Sequence, residues 1–351
     1  MTDQTAVVLG EEHLLSLVVQ ALCCASLRAD AAESMGRSIV ACERDGVRNH
    51  GLLRLDALVR SLESGWIDGA AVAEVVAEKA SLIAVDAHNG FTQAALAQVR
   101  ERLVSKARAS GVATLVIRNA HHFSALWPDL EPFAAEGLLA FSGVNSKKRM
   151  AIWGSREPVV GTNAMGFAAP REGHEPLVWD QSSSVMAHGE VLLAAKEGWE
   201  VPAGVGTDSN GAGTQDPNKI LAGGALLPFG GTKGGSMAVM VELLTAALSG
   251  GEFGFEADSS AESSTTSKSS QFILLIDPEA TTLGLPARVE EFCAEVIRAG
   301  GTRIPADRRY RQRALSNIHG ISIDEQSYLA LLAHAGVPTE TTTAPVNNSR
   351  S

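Results

Sequence analysis

The stretch ATLVIRNAHHFSALW, residues 113–127, marks the point where the chain changes character. ATLVIR is short, apolar and partly β-branched, which predicts a strand. NAHHFSALW follows it with two histidines, a hydroxyl and an aromatic ring. Upstream the texture is helical. Leu14, Leu17, Val18, Ala21 and Leu22 recur at helical spacing over residues 11–28. Further helices are predicted over 32–42, over 52–64 (closed by Ser64-Gly65) and over 93–109, with Leu96, Val99 and Leu103 on one face and Gly111 as the stop. The first 110 residues therefore read as mainly helical.

Downstream, LLAFSGV (138–144), PLVWD (176–180) and FILLI (272–276) read as strands between Gly-, Pro- and Ser-rich connections. A helix over 237–248 follows the glycine-rich GGTKGG, and the chain returns to helix over 287–299 and 324–335. SSAESSTTSKSS (259–270) is low-complexity and reads as a mobile loop, and the tail 337–351 as disordered. The layout is helical ends around a strand-rich middle. It divides into a helical segment over residues 1–115, a sheet segment over 116–283, a returning helical segment over 284–336 and the tail 337–351.

With 351 residues, 45% of them hydrophobic and 20% charged, the chain has the composition of a globular protein with a sizeable core. A net charge of −11 argues against nucleic acid or an anionic membrane as partner. No apolar run approaches the roughly 20 residues of a membrane helix, and MTDQTAVVLGEEHLL lacks the basic and apolar regions of a signal peptide. Cys23, Cys24, Cys42 and Cys293 have no metal-ligand spacing, so a reduced, cytoplasmic protein is expected.

Several clusters bear chemistry. In DGVRNHGLLRL (45–55), a helix would place His50 and Arg54 on one face, a proton carrier beside a carboxylate clamp. From the segment alone, a solvated helix turn with an exposed histidine is the favoured reading. No G-x-G-x-x-G lies between a strand and a helix, so an ordinary dinucleotide-binding unit has no support. PFGGTKGGS misses the P-loop pattern because Thr232 precedes Lys233; its glycines either let backbone N–H groups approach a phosphate ahead of a helix or form a flexible turn before it. The adjacent His121 and His122 cannot readily chelate one ion, and no metal is expected. DQSSSVMAHGE (180–190) ends in His188, Gly189 and Glu190, where a carboxylate would orient a histidine. In NSKKRM, Lys147 and Lys148 mark a place to look for a changed pocket or a solvated basic turn.

Taken in order, NHGLLRL, NAHHFSALWPDLEPFAAEGL, GTNAMGFAAP, MAHGE, DPNKILAGGALLPFGGTKGGSM and RIPADRRYR resemble the malate/L-lactate dehydrogenase-like oxidoreductases that lack a Rossmann fold. Within that group the chain looks most like the NADPH-dependent reductases of piperideine-2-carboxylate and pyrroline-2-carboxylate. The resemblance implies an α/β homodimer: a helical lobe from both chain ends, and a non-Rossmann NAD(P)H-binding lobe on a largely antiparallel sheet. It implies His50 as proton donor and Arg54 as carboxylate anchor, with Thr162, His188 and Gly189 touching substrate. His122, Phe123, Ser124, Ala125 and Leu126 would line the cofactor. Asp180, Gln181, Ser182, Gly231, Thr232 and Lys233 would contact it as well. Pro305, Arg308, Arg309 and Arg311 would close over it, the arginines meeting the 2′-phosphate that separates NADPH from the alternative NADH.

Three positions depart from the family pattern. Asn49 stands where serine is usual, Glu190 where aspartate is usual, and Thr232 where many relatives carry histidine. Asn49 and Glu190 fall on the implied proton relay, where they would set the tautomer of His50; an amide orients a ring but passes no proton. An iminium arrives protonated and needs less from a relay than a ketone, so a cyclic imine is the expected substrate. The alternatives are a 2-oxo acid reductase or 2-hydroxy acid dehydrogenase, an N-alkyl amino acid dehydrogenase, and, in another class, a cofactor-binding protein without turnover.

Overall fold

The computed structural model describes residues 6–257 and 267–338. The tail from 339 onward, and most of the serine-rich 259–270 segment, lie outside the described residues. In chain order, β1 (Ala6–Leu9), α1 (Glu11–Cys24), α2 (Ala29–Arg44) and α3 (Leu55–Glu63) come first. The hairpin β2 (Glu74–Lys79) and β3 (Leu82–Phe91), α4 (Thr92–Ser110), β4 (Val112–His121), α5 (Trp127–Ala135), β5 (Leu139–Val144), β6 (Ala164–Ala169) and β7 (Leu177–Gln181) follow. Next are α6 (His188–Glu197), β8 (Gly206–Thr207), β9 (Gly213–Thr214), α7 (Pro217–Leu221), β10 (Ala225–Leu226) and α8 (Thr232–Glu242), which runs into a π turn, Leu243–Ala247. β11 (Ser269–Ile276), α9 (Leu285–Arg298), α10 (Asp307–His319), β12 (Ile321–Asp324) and α11 (Glu325–His334) complete the chain.

Seven strands form one sheet in the order β2-β3-β4-β11-β5-β6-β7, and only β3 and β4 run parallel. FILLI sits in β11 at the sheet centre, where a strand covered on both faces must be apolar throughout. One face packs Leu115, Ile117, Ala140, Ile273 and Leu275 against Leu96, Val99 and Leu103 of α4 and Leu130 and Phe133 of α5. α8 covers the other face: a Cβ on Gly143 of β5 would lie 3.2 Å from Val241 of α8. A small antiparallel sheet, β10-β8-β9, stands beside α6 and α7.

The two chain ends meet. β1 pairs antiparallel with β12, from Ala6 opposite Asp324 to Leu9 opposite Ile321. A helical core unites Leu14, Leu22, Met35, Ile39 and Leu58 with Ile321, Ile323 and Leu331. The helical texture of the first 110 residues needs a correction. β2 and β3 lie inside that span and join the large sheet, so the sheet reaches back well before residue 116. β2 (EVVAEK) is a charged, mostly exposed edge strand, which keeps the apolar alternation too faint to read. In the returning segment, β12 and α11 rejoin the helical core, whereas α9 docks on the β6–β7 turn, where Arg171 pairs with Glu290 and Glu172 donates to the Pro286 carbonyl. Ser269 and Ser270, read as loop, are buried in β11.

Candidate active site

NHGLLR is not one helix. Two short 3₁₀ turns, Arg48–His50 and Leu52–Arg54, flank Gly51 and lead into α3. The glycine is required. A Cβ there would stand 2.1 Å from Glu43 Oε1, which accepts the Leu52 N–H at 2.6 Å and pins the turn to α2. This break still leaves His50 and Arg54 neighbours, because the turn folds Arg54 back: its Nε donates to the Asn49 carbonyl at 2.8 Å. The Arg54 guanidinium lies 5.5 Å above the Phe123 ring, so the segment after β4 forms the floor beneath it.

His50 is half-buried beside Arg54 and His122. Burial, then the neighbouring Arg54 and His122, pushes its pKa down to about 4. The near-neutral value suited to a free proton donor is thus not what the surroundings set; the imidazole is neutral at pH 7. His122 is held by Asp129 at 2.8 Å and donates its backbone N–H to Ser269 Oγ at 3.0 Å.

Opposite Arg54 stands the N-terminus of α6. A Cβ on Gly189 would lie 3.3 Å from Arg54 Nη2, so glycine leaves room for the guanidinium. His188 accepts a hydrogen bond at Nε2 from Arg149 Nη1, 2.6 Å away. An arginine only donates, so His188 carries its proton on Nδ1. Burial and the charges of Arg149 and Arg54 push the His188 pKa down to about 3. Arg149 is the residue the sequence reading missed. NSKKRM drew attention to Lys147 and Lys148, but it is the third cation that enters the pocket, and nothing local to the run distinguishes it.

The implied relay residues are placed differently. The Glu190 side chain turns back on its own helix and accepts the Ala187 N–H at 3.2 Å, an N-terminal cap. Asn49 is exposed and contributes its carbonyl, to Arg54. Among the described residues, no hydrogen bond joins either side chain to His50, so neither sets its tautomer here. Thr162 is half-buried, and its carbonyl accepts the Ser183 N–H at 2.7 Å.

The residues assigned to a cofactor divide in the same way. Ala125 and Leu126 are buried, and Ser124 Oγ lies 3.9 Å from Cys42 Sγ. Asp180 Oδ2 accepts the N–H groups of Leu126 and Trp127 at 2.9 and 3.3 Å, capping α5, while Gln181 is exposed and Ser182 Oγ lies 3.0 Å from Ser184 Oγ. Gly231, Thr232 and Lys233 are exposed at the start of α8, an eleven-residue helix. Gly231 has φ +63° with open space around it, and a Cβ on Gly234 would meet the Phe229 carbonyl at 2.2 Å. That open turn before a helix N-terminus fits a diphosphate. Pro305, Arg308 and Arg311 are exposed. Arg309 is not available to a 2′-phosphate: it is buried, stacks 4.5 Å from the Trp127 ring centre and donates to the Val178 carbonyl at 2.9 Å. Among the described residues, no three His, Cys, Asp or Glu side chains stand close enough to hold a metal ion, and no helix is long and apolar enough to cross a membrane.

The buried histidines set a pH dependence. His121 joins His50 and His188, its pKa pushed down to about 3 by burial and the Lys268 charge. All three start from an ordinary value of 6.5 and are depressed in the fold. Between pH 6.5 and about 4, therefore, the unfolded chain binds protons that the folded one does not. Their contribution to stability is complete above pH 6.5 and is lost as pH falls through that window. The urea midpoint should decline from pH 7 to 4.5, and less steeply in His188→Gln, whose side-chain oxygen still accepts from Arg149 without titrating. Identical slopes would remove His188 from the account.

Comparison with known proteins gives the family and the fold. The malate/L-lactate dehydrogenase family model matches residues 9–332. The chain is 44% identical over 336 residues to a Delta(1)-pyrroline-2-carboxylate/Delta(1)-piperideine-2-carboxylate reductase of Pseudomonas syringae pv. tomato, covering 95% of this chain and 98% of that one. It is 38% identical over 299 residues to a (2R)-3-sulfolactate dehydrogenase (NADP(+)) of Chromohalobacter salexigens, covering 85% and 89%. The solved structure of a delta1-piperideine-2-carboxylate reductase from P. syringae pv. tomato superposes with a TM-score of 0.91 at 43% identity, over 93% of this chain and 99% of that one. The α/β fold on a largely antiparallel sheet is shared with that solved structure, and the chain belongs to the malate/L-lactate dehydrogenase family.

Proposed function

We propose that the protein is an NAD(P)H-dependent reductase of cyclic imine-2-carboxylates, of the piperideine- or pyrroline-2-carboxylate type, giving the saturated cyclic amino acid. The observation that carries this reading is Arg54, half-buried over Phe123 and beside a neutral His50, with no carboxylate of the protein as partner among the described residues. A guanidinium so placed is completed by an anion, and a substrate carboxylate supplies one. The 44% identical reductase of P. syringae pv. tomato points the same way.

When bound, the nicotinamide supplies the hydride that adds to the C=N carbon. The chain's own residues do the rest. Arg54 fixes the carboxylate and hence which face of the ring is presented. Phe123 closes the pocket below. His50, neutral before substrate enters, tolerates an incoming iminium that already carries its proton. A substrate carboxylate on Arg54 would offset that arginine's charge, which after burial is the next cause holding the His50 pKa down.

Preference for NADPH over NADH belongs to the proposal, supported by the exposed Arg308 and Arg311, which could meet a 2′-phosphate. The related sulfolactate dehydrogenase carries NADP(+) in its name. A homodimer in the cytoplasm is likewise proposed from the resemblance. Purified protein should oxidise NADPH faster than NADH with piperideine-2-carboxylate or pyrroline-2-carboxylate, and Arg308→Ala with Arg311→Ala should narrow the gap. Faster turnover of 2-oxo acids than of either imine would move the protein to the hydroxy-acid branch. Binding of NADPH without oxidation across both panels would make it a cofactor-binding protein.

A further inference from the structure

We infer that Arg149 is a second anion clamp in the substrate pocket, and that the preferred substrate is a cyclic imine bearing another anionic group besides the carboxylate on Arg54. This rests on the imine reductase reading above and narrows its substrate class.

Arg54 and Arg149 belong to one cluster: Arg149 donates to His188, the next residue is Gly189, and Gly189 abuts Arg54. The two arginines are built alike. Each spends one donor on a neutral protein acceptor that fixes its direction, Arg54 Nε on the Asn49 carbonyl and Arg149 Nη1 on His188 Nε2. Among the described residues, the remaining N–H groups of both guanidiniums have no hydrogen-bond partner, and no carboxylate lies within salt-bridge distance of either.

Two half-buried guanidiniums that repel each other are costly to hold unless anions complete them. Acid residues are not scarce in a chain of net charge −11. Elsewhere in the same fold Arg44, Arg118, Arg171 and Arg313 each have a carboxylate partner. Among the described residues, Arg54 and Arg149, close enough for Arg54 to act electrostatically on Arg149, have no such partner. A monocarboxylate gripped at both oxygens by Arg54 satisfies the first and leaves Arg149 uncompensated. A second carboxylate, or another acid group of similar size on the ring, completes both. The histidine at position 188 thereby acts on the substrate through Arg149: it is a positioning residue.

The test is binding of two planar analogues, pyrrole-2-carboxylate and pyrrole-2,5-dicarboxylate, to the protein saturated with NADP(H), by calorimetry at pH 7.5. Wild type should bind the dicarboxylate about 10- to 100-fold more tightly, as one charge-assisted interaction allows. Arg149→Gln should erase that ratio, and Arg149→Lys should retain some of it, having the charge without the fork. Equal affinities in wild type overturn the inference, whether or not the variants fold. So does an equal loss for both analogues in Arg149→Gln, the mark of a purely structural arginine. Turnover assays separate the two readings. Reduction of piperideine-2-carboxylate without any dicarboxylate preference leaves the reductase reading intact and overturns this one. No reduction of any cyclic imine overturns the reductase reading, and the substrate class with it.

Discussion

Arg54→Met should lower kcat/KM for a cyclic imine carboxylate by roughly 30- to several-thousand-fold, the equivalent of about 2–5 kcal/mol for removing one partner of a partly desolvated charge pair. The cause is specific. Arg54 is held in place by the Asn49 carbonyl and by Phe123, so its free N–H groups meet the carboxylate with little reorganisation. Arg54→Lys keeps the charge but loses the planar fork, and should recover only a fraction of the rate. A change in kcat/KM below threefold in Arg54→Met would sink the clamp.

The largest effect on stability is expected from Arg313→Met. Its guanidinium binds Asp45 through Nε at 3.0 Å and through Nη2 at 2.5 Å, and Glu131 through Nη1 at 2.6 Å. It also packs 4.9 Å from the Tyr310 ring centre. The three charged side chains come from α10, the end of α2 and α5, so one group ties the returning C-terminal segment to both lobes. The Asp45 side chain is fully buried, with 0% exposure. Breaking such a pair by removing one member strands the other charge, at a cost of about 3–5 kcal/mol. Urea denaturation should show a loss of that size. A loss under about 1 kcal/mol would mean that water or Arg44, which also bonds Asp45 at 2.8 Å, takes over.

Much of the architecture was legible in the chain. Helical spacing of Leu14, Leu17, Val18, Ala21 and Leu22 located α1, and the unbroken FILLI run located the central strand β11, because burial on one face or on both leaves a periodic trace. β3 escaped notice for a physical reason. Its Asp86 looks wrong for a sheet until Arg118 and Asn119 of the neighbouring β4 are seen to bind it. β6 is short and glycine-bearing, and α10 is too polar for an apolar stripe to stand out.

By itself, the sequence determined the family and located α1 and β11, and it set His50 four residues from Arg54, since these are written in residues close together in the chain. Tertiary structure decided what the polar groups do. Arg149 meets His188 across 39 residues, and Asp180 caps α5 across 54. Glu190 turns back onto its own helix, and Arg309 turns inward onto Trp127. A charged side chain takes whichever partner the fold brings within about 3 Å, and that distance is set by packing between distant segments.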